Sequence, residues 1–159
     1  SIIDQVINKG KALIIIVNKW DAINKTTNTL RDFKQEIRFQ FKELDYYPIL
    51  FLSAKTKQRI NKVLEIAWEV YQRSKNMIPT NKLNVLIERI MIENPPPSER
   101  GKVVRVNYAV QVHKQPVVIA LFANYPKLIK TPYRRYIMNQ IRNNFSLVGI
   151  PIRLSLRKK

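Results

Sequence analysis

The chain has 159 residues, with 29 Lys and Arg against 11 Asp and Glu and a formal net charge of +18. It contains no cysteine and a single histidine, His113, which excludes disulfides, thiolate metal sites, a thiol nucleophile and any site needing two imidazoles. Only three glycines occur, Gly10, Gly101 and Gly149, so neither a phosphate loop of the form G-x-x-x-x-G-K-[ST] nor a G-x-G-x-x-G dinucleotide fingerprint can be written anywhere in it.

Ser1 is not an initiator methionine and no basic-then-apolar leader follows it, so the chain reads as part of a longer protein. The β-branched run Ala12 to Val17 predicts a strand buried on both faces, and its apolar core, Leu13 to Val17, is far short of the roughly 20 residues that span a bilayer. No membrane partner is expected, and the absence of cysteine suits a reducing, cytoplasmic setting. Thr29 followed by Asp32 predicts a capping box opening a helix with Leu30, Phe33, Ile37, Phe41 and Leu44 on one side. A second buried strand is expected at Pro48 to Leu52. A further helix is expected from about Arg59 to Tyr71, with Ile60, Val63, Leu64, Ala67, Trp68 and Tyr71 on its apolar side and Trp68 as a core anchor. Strand, helix, strand, helix is the pattern of a βαβα unit in a parallel sheet. Two strands alone leave raw edges, so the sheet is expected to continue elsewhere or to self-associate.

The helical pattern stops at Ser74 to Met77, and Pro79 stands before a predicted N-cap, Thr80. This places a domain boundary between residues 1–76 and 77–159. Charge changes there too: the first segment carries 14 basic and 8 acidic side chains, net +6, and the second 15 basic and 3 acidic, net +12. The second segment reads helix, strand, strand, helix, strand. Leu83, Leu86, Ile87, Ile90 and Met91 form one helical stripe, and Tyr133, Ile137, Ile141 and Phe145 another. Val104, Val106, Tyr108, Val110 and Val112 alternate with Arg105, Asn107 and Gln111, which predicts the valines and tyrosine inside and the polar residues outside. Val117 to Phe122 is apolar throughout, and Ile152, Leu154 and Leu156 alternate with Arg153, Ser155 and Arg157. The expected fold is thus α/β followed by α+β, the latter a three-stranded sheet with helices on one face.

Two tetrapeptide-scale motifs carry chemistry. Asn18-Lys19-Trp20-Asp21 closes the first strand and Ser53-Ala54-Lys55 closes the second, at the carboxyl ends of parallel strands where open α/β sheets bind ligands. N-K-x-D with S-A-K about thirty residues later resembles the guanine-recognition half of P-loop GTPases. Guanine presents two adjacent donors on its Watson–Crick edge, and an ionised Asp21 offers two acceptors; adenine would set a lone pair against the carboxylate. Leaving such a group unpaired costs about 1–3 kcal/mol or more. The resemblance implies that Asn18 bonds the base and braces the loop, Lys19 lays its stem over the ring, Ala54 offers its N–H to the guanine oxygen, Ser53 supports the loop and Lys55 covers the other face. Trp20, at the free position, is expected to be partly exposed.

Asn18 to Asp21, Leu44-Asp45-Tyr46-Tyr47-Pro48-Ile49 and Phe51 to Lys55, followed by Pro95-Pro96-Pro97, Leu121-Phe122-Ala123-Asn124-Tyr125-Pro126, Tyr133-Arg134-Arg135-Tyr136 and Gly149-Ile150-Pro151, together resemble the Der (EngA) family of bacterial tandem-domain GTPases. The resemblance covers the second GTPase domain's C-terminal part and the KH-like domain after it. It implies GTP or GDP as ligand, with magnesium held by segments not present in these residues, and assembly of the large ribosomal subunit as the role. Partners implied are that subunit, its rRNA and the N-terminal GTPase domains. Without a phosphate cradle, no hydrolysis by these residues alone is expected. The basic side chains Lys102, Arg105, Arg134, Arg135, Arg142, Arg153, Arg157, Lys158 and Lys159 are candidate contacts to RNA or to a domain interface. A KH clamp needs a G-x-x-G loop, which this segment lacks.

Overall fold

The computed structural model describes residues 2–24 and 26–159; Ser1, Lys25 and the side chains of Lys42 and Glu43 lie outside the described residues. The elements run α1 (Ile2–Asn8), β1 (Ile15–Val17), a 3-10 turn (Trp20–Ala22), α2 (Thr29–Gln40), a second 3-10 turn (Lys42–Tyr46), β2 (Ile49–Phe51) and α3 (Ile60–Lys75). After a four-residue link come α4 (Thr80–Glu93), β3 (Val106–His113), β4 (Val117–Ala123), a third 3-10 turn (Pro126–Leu128), α5 (Thr131–Phe145) and β5 (Ile152–Lys158). The fold class is as the periodicities indicate: β1 and β2 pair in parallel, and β3, β4 and β5 form a separate sheet in that order, antiparallel then parallel.

The first half departs from the sequence reading in how much it buries. Trp20, Ile49 and Phe51 form its core, with Ile15, Val17, Leu30, Phe33 and Ile37 packed around them. β1 is not buried on both faces: Ile16 is 46% exposed, because the described residues cover only one side of the two-stranded sheet. α3 is likewise turned. Val70 and Ser74 are buried, whereas the stripe Ile60, Leu64, Trp68 and Tyr71 faces outward. Trp68, at 62% exposure, is not a core anchor. The stripe has the right period for burial, but period alone cannot say which neighbour covers it. Neither expected threonine cap forms. Thr29 is the first helical residue and its hydroxyl accepts from the Thr26 N–H at 2.7 Å, while Thr80 follows Pro79, which caps α4 without a side chain.

In the second half α4 and α5 pack on one face of the three-stranded sheet. Leu83, Ile87 and Ile90 of α4 and Ile137 and Ile141 of α5 meet Ile119 and Leu121 of β4. Here the structure overturns the alternation assigned to β3. The pairing with β4 slips between Val106 and Tyr108, which reverses the facing of Tyr108 to Val112, and is irregular again between Gln111 and His113. Val106, Ala109 and Gln111 point inward; Tyr108, Val110 and Val112 point outward. Polar Gln111 is tolerated at 3% exposure because its amide oxygen accepts from the Ile78 N–H at 2.8 Å and its amide nitrogen donates to His113 O at 3.0 Å.

The slip leaves the Ala109 backbone facing the open edge of β3, where Asn84 of α4 covers it. The Asn84 side chain accepts from Ala109 N at 2.8 Å and donates to Ala109 O at 2.8 Å, in the manner of a missing strand. Asn84→Leu strips both partners from the edge and is expected to cost about 1–3 kcal/mol, read as a lowered urea midpoint; an unchanged midpoint would show that solvent satisfies Ala109.

The halves meet along a seam. Leu13 N–H donates to Gly149 O at 2.9 Å, Gly149 N–H donates to Tyr46 O at 2.7 Å, and Gln115 donates to the Ser74 hydroxyl at 3.0 Å. Arg142 of α5 lies over the Tyr46 ring at 4.3 Å. Desolvation lowers its pKa from the usual guanidinium value, opposed by the neighbouring Tyr47 and Tyr46 hydroxyls. Its Nε has no hydrogen-bond partner among the described residues.

Candidate functional site

The ladder between β1 and β2 continues past both strands. Leu52 N–H donates to Val17 O and Trp20 N–H to Leu52 O, each at 3.0 Å, so the two motif loops leave the sheet side by side. Asn18 then joins them: its Oδ1 accepts from Ala54 N at 3.0 Å and from Lys19 N at 2.7 Å. Lys19 adopts φ 60°, ψ 32°, a left-handed turn that redirects the chain into the Trp20–Ala22 3-10 turn. Ser53 is fully buried and its hydroxyl accepts from Thr56 N at 3.1 Å, bracing the second loop. Asn18, Lys19, Asp21, Ala54 and Lys55 are all exposed, on one end of the small sheet. The sequence motifs separated by thirty residues are therefore one surface, carrying a carboxylate, a carboxamide, two ammonium groups and a backbone turn. In this arrangement the Ala54 N–H that the resemblance assigns to a guanine oxygen is donated to Asn18, so a bound base would share that donor.

Trp20 is not partly exposed, as its place in the motif suggested. It is 3% exposed, with its ring 4.5 Å from Phe51 and 5.5 Å from Phe33, the latter edge-on. The free position of N-K-x-D is thus a buried anchor between Lys19 and Asp21, holding the motif loop to the core. The available signal was the side chain itself, since an indole next to a strand end is among the largest apolar groups a small core can bury.

The basic candidates of the second half do not form one patch. Arg134, Arg135 and Arg142 belong to α5, on the helical side of the sheet; Arg134 donates to Ile129 O at 2.8 Å and Arg142 belongs to the seam. Arg153 and Arg157 lie on the opposite, open face of β5. Lys102 lies over the Tyr125 ring at 4.8 Å, in a cleft of about 420 Å³ at the end of the sheet shared with Lys127 and Lys158. Glu99 and Lys102 exchange backbone hydrogen bonds around Arg100 and Gly101, both at positive φ. That tight two-residue turn is not a phosphate loop. His113 is exposed at the hairpin. Among the described residues there is no cluster of His, Cys, Asp and Glu able to hold a metal, and no helix long and apolar enough to cross a membrane.

A family model described as the KH-domain-like, C-terminal domain of EngA bacterial GTPase enzymes matches residues 77–157. GTPase Der of Brevibacillus brevis is 48% identical over 150 residues, covering 94% of this chain and 34% of that protein. GTPase Der of Azobacteroides pseudotrichonymphae is 44% identical over 151 residues, covering 94% and 35%. The chain thus spans about a third of the length of the curated relatives it matches. Among solved structures, Era of Aquifex aeolicus bound to GDP and aluminium fluoride superposes with a TM-score of 0.33 at 16% identity, over 98% of this chain and 60% of that one.

Proposed function

The chain belongs to the EngA (Der) family of bacterial GTPases and carries its C-terminal KH-like domain, and from that premise we propose that residues 1–76 are the guanine-recognition end of the second GTPase domain. The carrying observation is the Asn18 side chain bridging Lys19 and Ala54, which assembles N-K-x-D and S-A-K into one exposed surface. Asp21 accepts from the two donors of guanine, Asn18 holds the loops in register and the stems of Lys19 and Lys55 cover the ring faces. GTP or GDP fits this donor and acceptor set at its base. Its phosphates and magnesium find no Gly-rich loop in these residues, so base recognition without hydrolysis is the activity proposed for this chain.

The second half is proposed to meet rRNA of the large subunit in the cytoplasm, supported by its net charge of +12. The seam gives the nucleotide end a short mechanical path to that half. The backbone of Tyr46 receives Gly149, its ring receives Arg142, and the segment Tyr47 to Leu52, with β2 at its middle, joins this loop to the Ser53-Ala54 turn. In the longer relatives, a nucleotide-dependent shift of the recognition loops would therefore be felt at the domain junction. The outward stripe of α3, Ile60, Leu64, Trp68 and Tyr71, suits packing against the remainder of such a protein.

Backbone amide NMR tests the base-recognition reading at the weak affinity expected without phosphate contacts. Guanosine monophosphate is expected to shift the resonances of Lys19, Asp21, Ala54 and Lys55, adenosine monophosphate to leave them in place, and Asp21→Ala to lose the difference. Equal shifts from both nucleotides, or none from either, would assign the chain to a basic interaction module without nucleotide chemistry.

A further inference from the structure

The slip in β3 has built a surface that the alternation of its sequence conceals. The outward residues of the three strands fall in rows across the sheet. Tyr108 pairs with Phe122 and Phe122 with Arg157; Val110 pairs with Ala120 and Ala120 with Ser155; Val118 pairs with Arg153. The Tyr108 and Phe122 rings are stacked, with centroids 4.6 Å apart and planes 8° from parallel, and the Arg157 guanidinium lies 5.8 Å from the Phe122 centroid. Stacked rings on neighbouring strands stand with their faces along the strand-to-strand direction, so the remaining face of Tyr108, which is 41% exposed, looks past the edge strand. In the middle of the face Ser155 is half-buried and Ala120, at 0% exposure, lies beneath its neighbours. No strand of this sheet contains an acidic residue.

One residue beyond Arg157, Lys158 lines the basic cleft at the end of the sheet. β4 and β5 run in parallel to Ala123 and Lys158, and the cleft holding Tyr125, Lys102, Lys127 and Lys158 opens there. Asn124 fixes its rim: the side-chain oxygen accepts from Arg105 N at 2.9 Å and Tyr125 N at 2.8 Å, and the amide donates to Val103 O at 2.8 Å. An exposed aromatic stack flanked by arginines and running into a second aromatic under lysines is the chemistry of a single-stranded nucleic acid site, where bases stack and phosphates pair. A duplex keeps its base faces occupied and could not use the rings.

We propose that the open face of the β3–β4–β5 sheet binds single-stranded RNA, a base extending the Tyr108–Phe122 stack and the phosphate chain passing Arg157 towards the Tyr125–Lys102 cleft. This rests on the reading that the basic half meets RNA, and it moves the contact away from the helical side of the sheet, where a G-x-x-G clamp is lacking. Arg153, Arg157, Lys102 and Lys158 become phosphate contacts; Arg135, on the exposed side of α5, does not.

Fluorescence anisotropy of a labelled single-stranded RNA dodecamer, titrated with the 159-residue chain over a series of KCl concentrations, tests the assignment. Tyr108→Ala is expected to weaken binding roughly tenfold with the salt slope unchanged, and Tyr108→Phe, which keeps the ring, to bind as the parent does. Arg157→Gln should weaken binding and reduce the slope of log K against log salt by about 0.7, the contribution of one phosphate contact to a single strand. Arg135→Gln should do neither. If the parent binds RNA and Tyr108→Ala binds equally well, the sheet-face site is wrong while the RNA reading stands. If the parent chain does not bind RNA, or binds a polyglutamate peptide in its place, the RNA reading itself is overturned.

Discussion

Trp20→Ala is expected to destabilise the first half by about 3–5 kcal/mol, the cost of removing a large aromatic from a core that cannot collapse around the void. That core is small. Trp20, Ile49 and Phe51 are its buried members, and the indole contacts both Phe33 and Phe51, so its removal leaves a void bordered mainly by half-buried side chains. The loss should reach the surface of the two motif loops as well, because Trp20 lies between Lys19 and Asp21 and its backbone N–H is bonded to Leu52 O. Urea unfolding followed by far-ultraviolet circular dichroism is expected to show an early transition for residues 1–76 that the parent lacks, with the second half unfolding at nearly its normal midpoint. A shift below about 1 kcal/mol would mean that the indole is not the anchor its burial indicates. Trp20→Phe should retain most of the stability, since it keeps a ring in the cluster.

Gly149→Ala is the second large effect. Gly149 has φ +83°, a conformation disfavoured for any residue with a Cβ, and that Cβ would stand 2.8 Å and 3.0 Å from the two methyl carbons of buried Val70. Strain and overpacking together are expected to cost about 2–5 kcal/mol. The same residue gives its N–H to Tyr46 and its carbonyl to Leu13, so the damage falls on the seam, where Val70 of α3 joins the main core. The expected signature is a single thermal transition splitting into two, with faster proteolytic cleavage in the 76–79 link. A single transition at the parent temperature would show that the halves do not stabilise one another through this contact. Arg142, half-buried over Tyr46, has the companion role on the same seam.

Much of the architecture was legible because it depends on local repetition. The stripes of Leu83 to Ile90 and Tyr133 to Ile141 fall where a 3.6-residue period puts them, and the apolar run from Val117 is the central strand of its sheet. The two motif loops could be read as neighbours from their identical position after successive parallel strands. What failed were assignments of face. Ile60, Leu64, Trp68 and Tyr71 of α3 have a good period and still point away from the described core, and Trp20 was judged by its place in a motif when its volume was the better guide. In β3 the alternation itself was correct as a pattern, but one slip after Val106 inverted its meaning, placing Tyr108 outside and Gln111 inside. No composition or period encodes such a slip. It depends on what the partner strand offers and on Asn84 waiting on α4 to satisfy the displaced backbone.

The scarcity of glycine illustrates the same division. From the sequence alone, three glycines sufficed to rule out a phosphate loop and a G-x-x-G clamp, because those devices require glycines at set spacings. Where the glycines stand could be known only from the fold. Gly10 and Gly149 lie at the seam, where a Cβ on the first would run into Pro116 and on the second into Val70, since two surfaces far apart in sequence approach there more closely than any side chain allows. Chemistry that resides in residue type and spacing, the N-K-x-D and S-A-K pair and the basic second half, was determined by the sequence. Faces, seams and the stacked rings of the open sheet arise from close packing between distant segments, and the tertiary structure alone decided them.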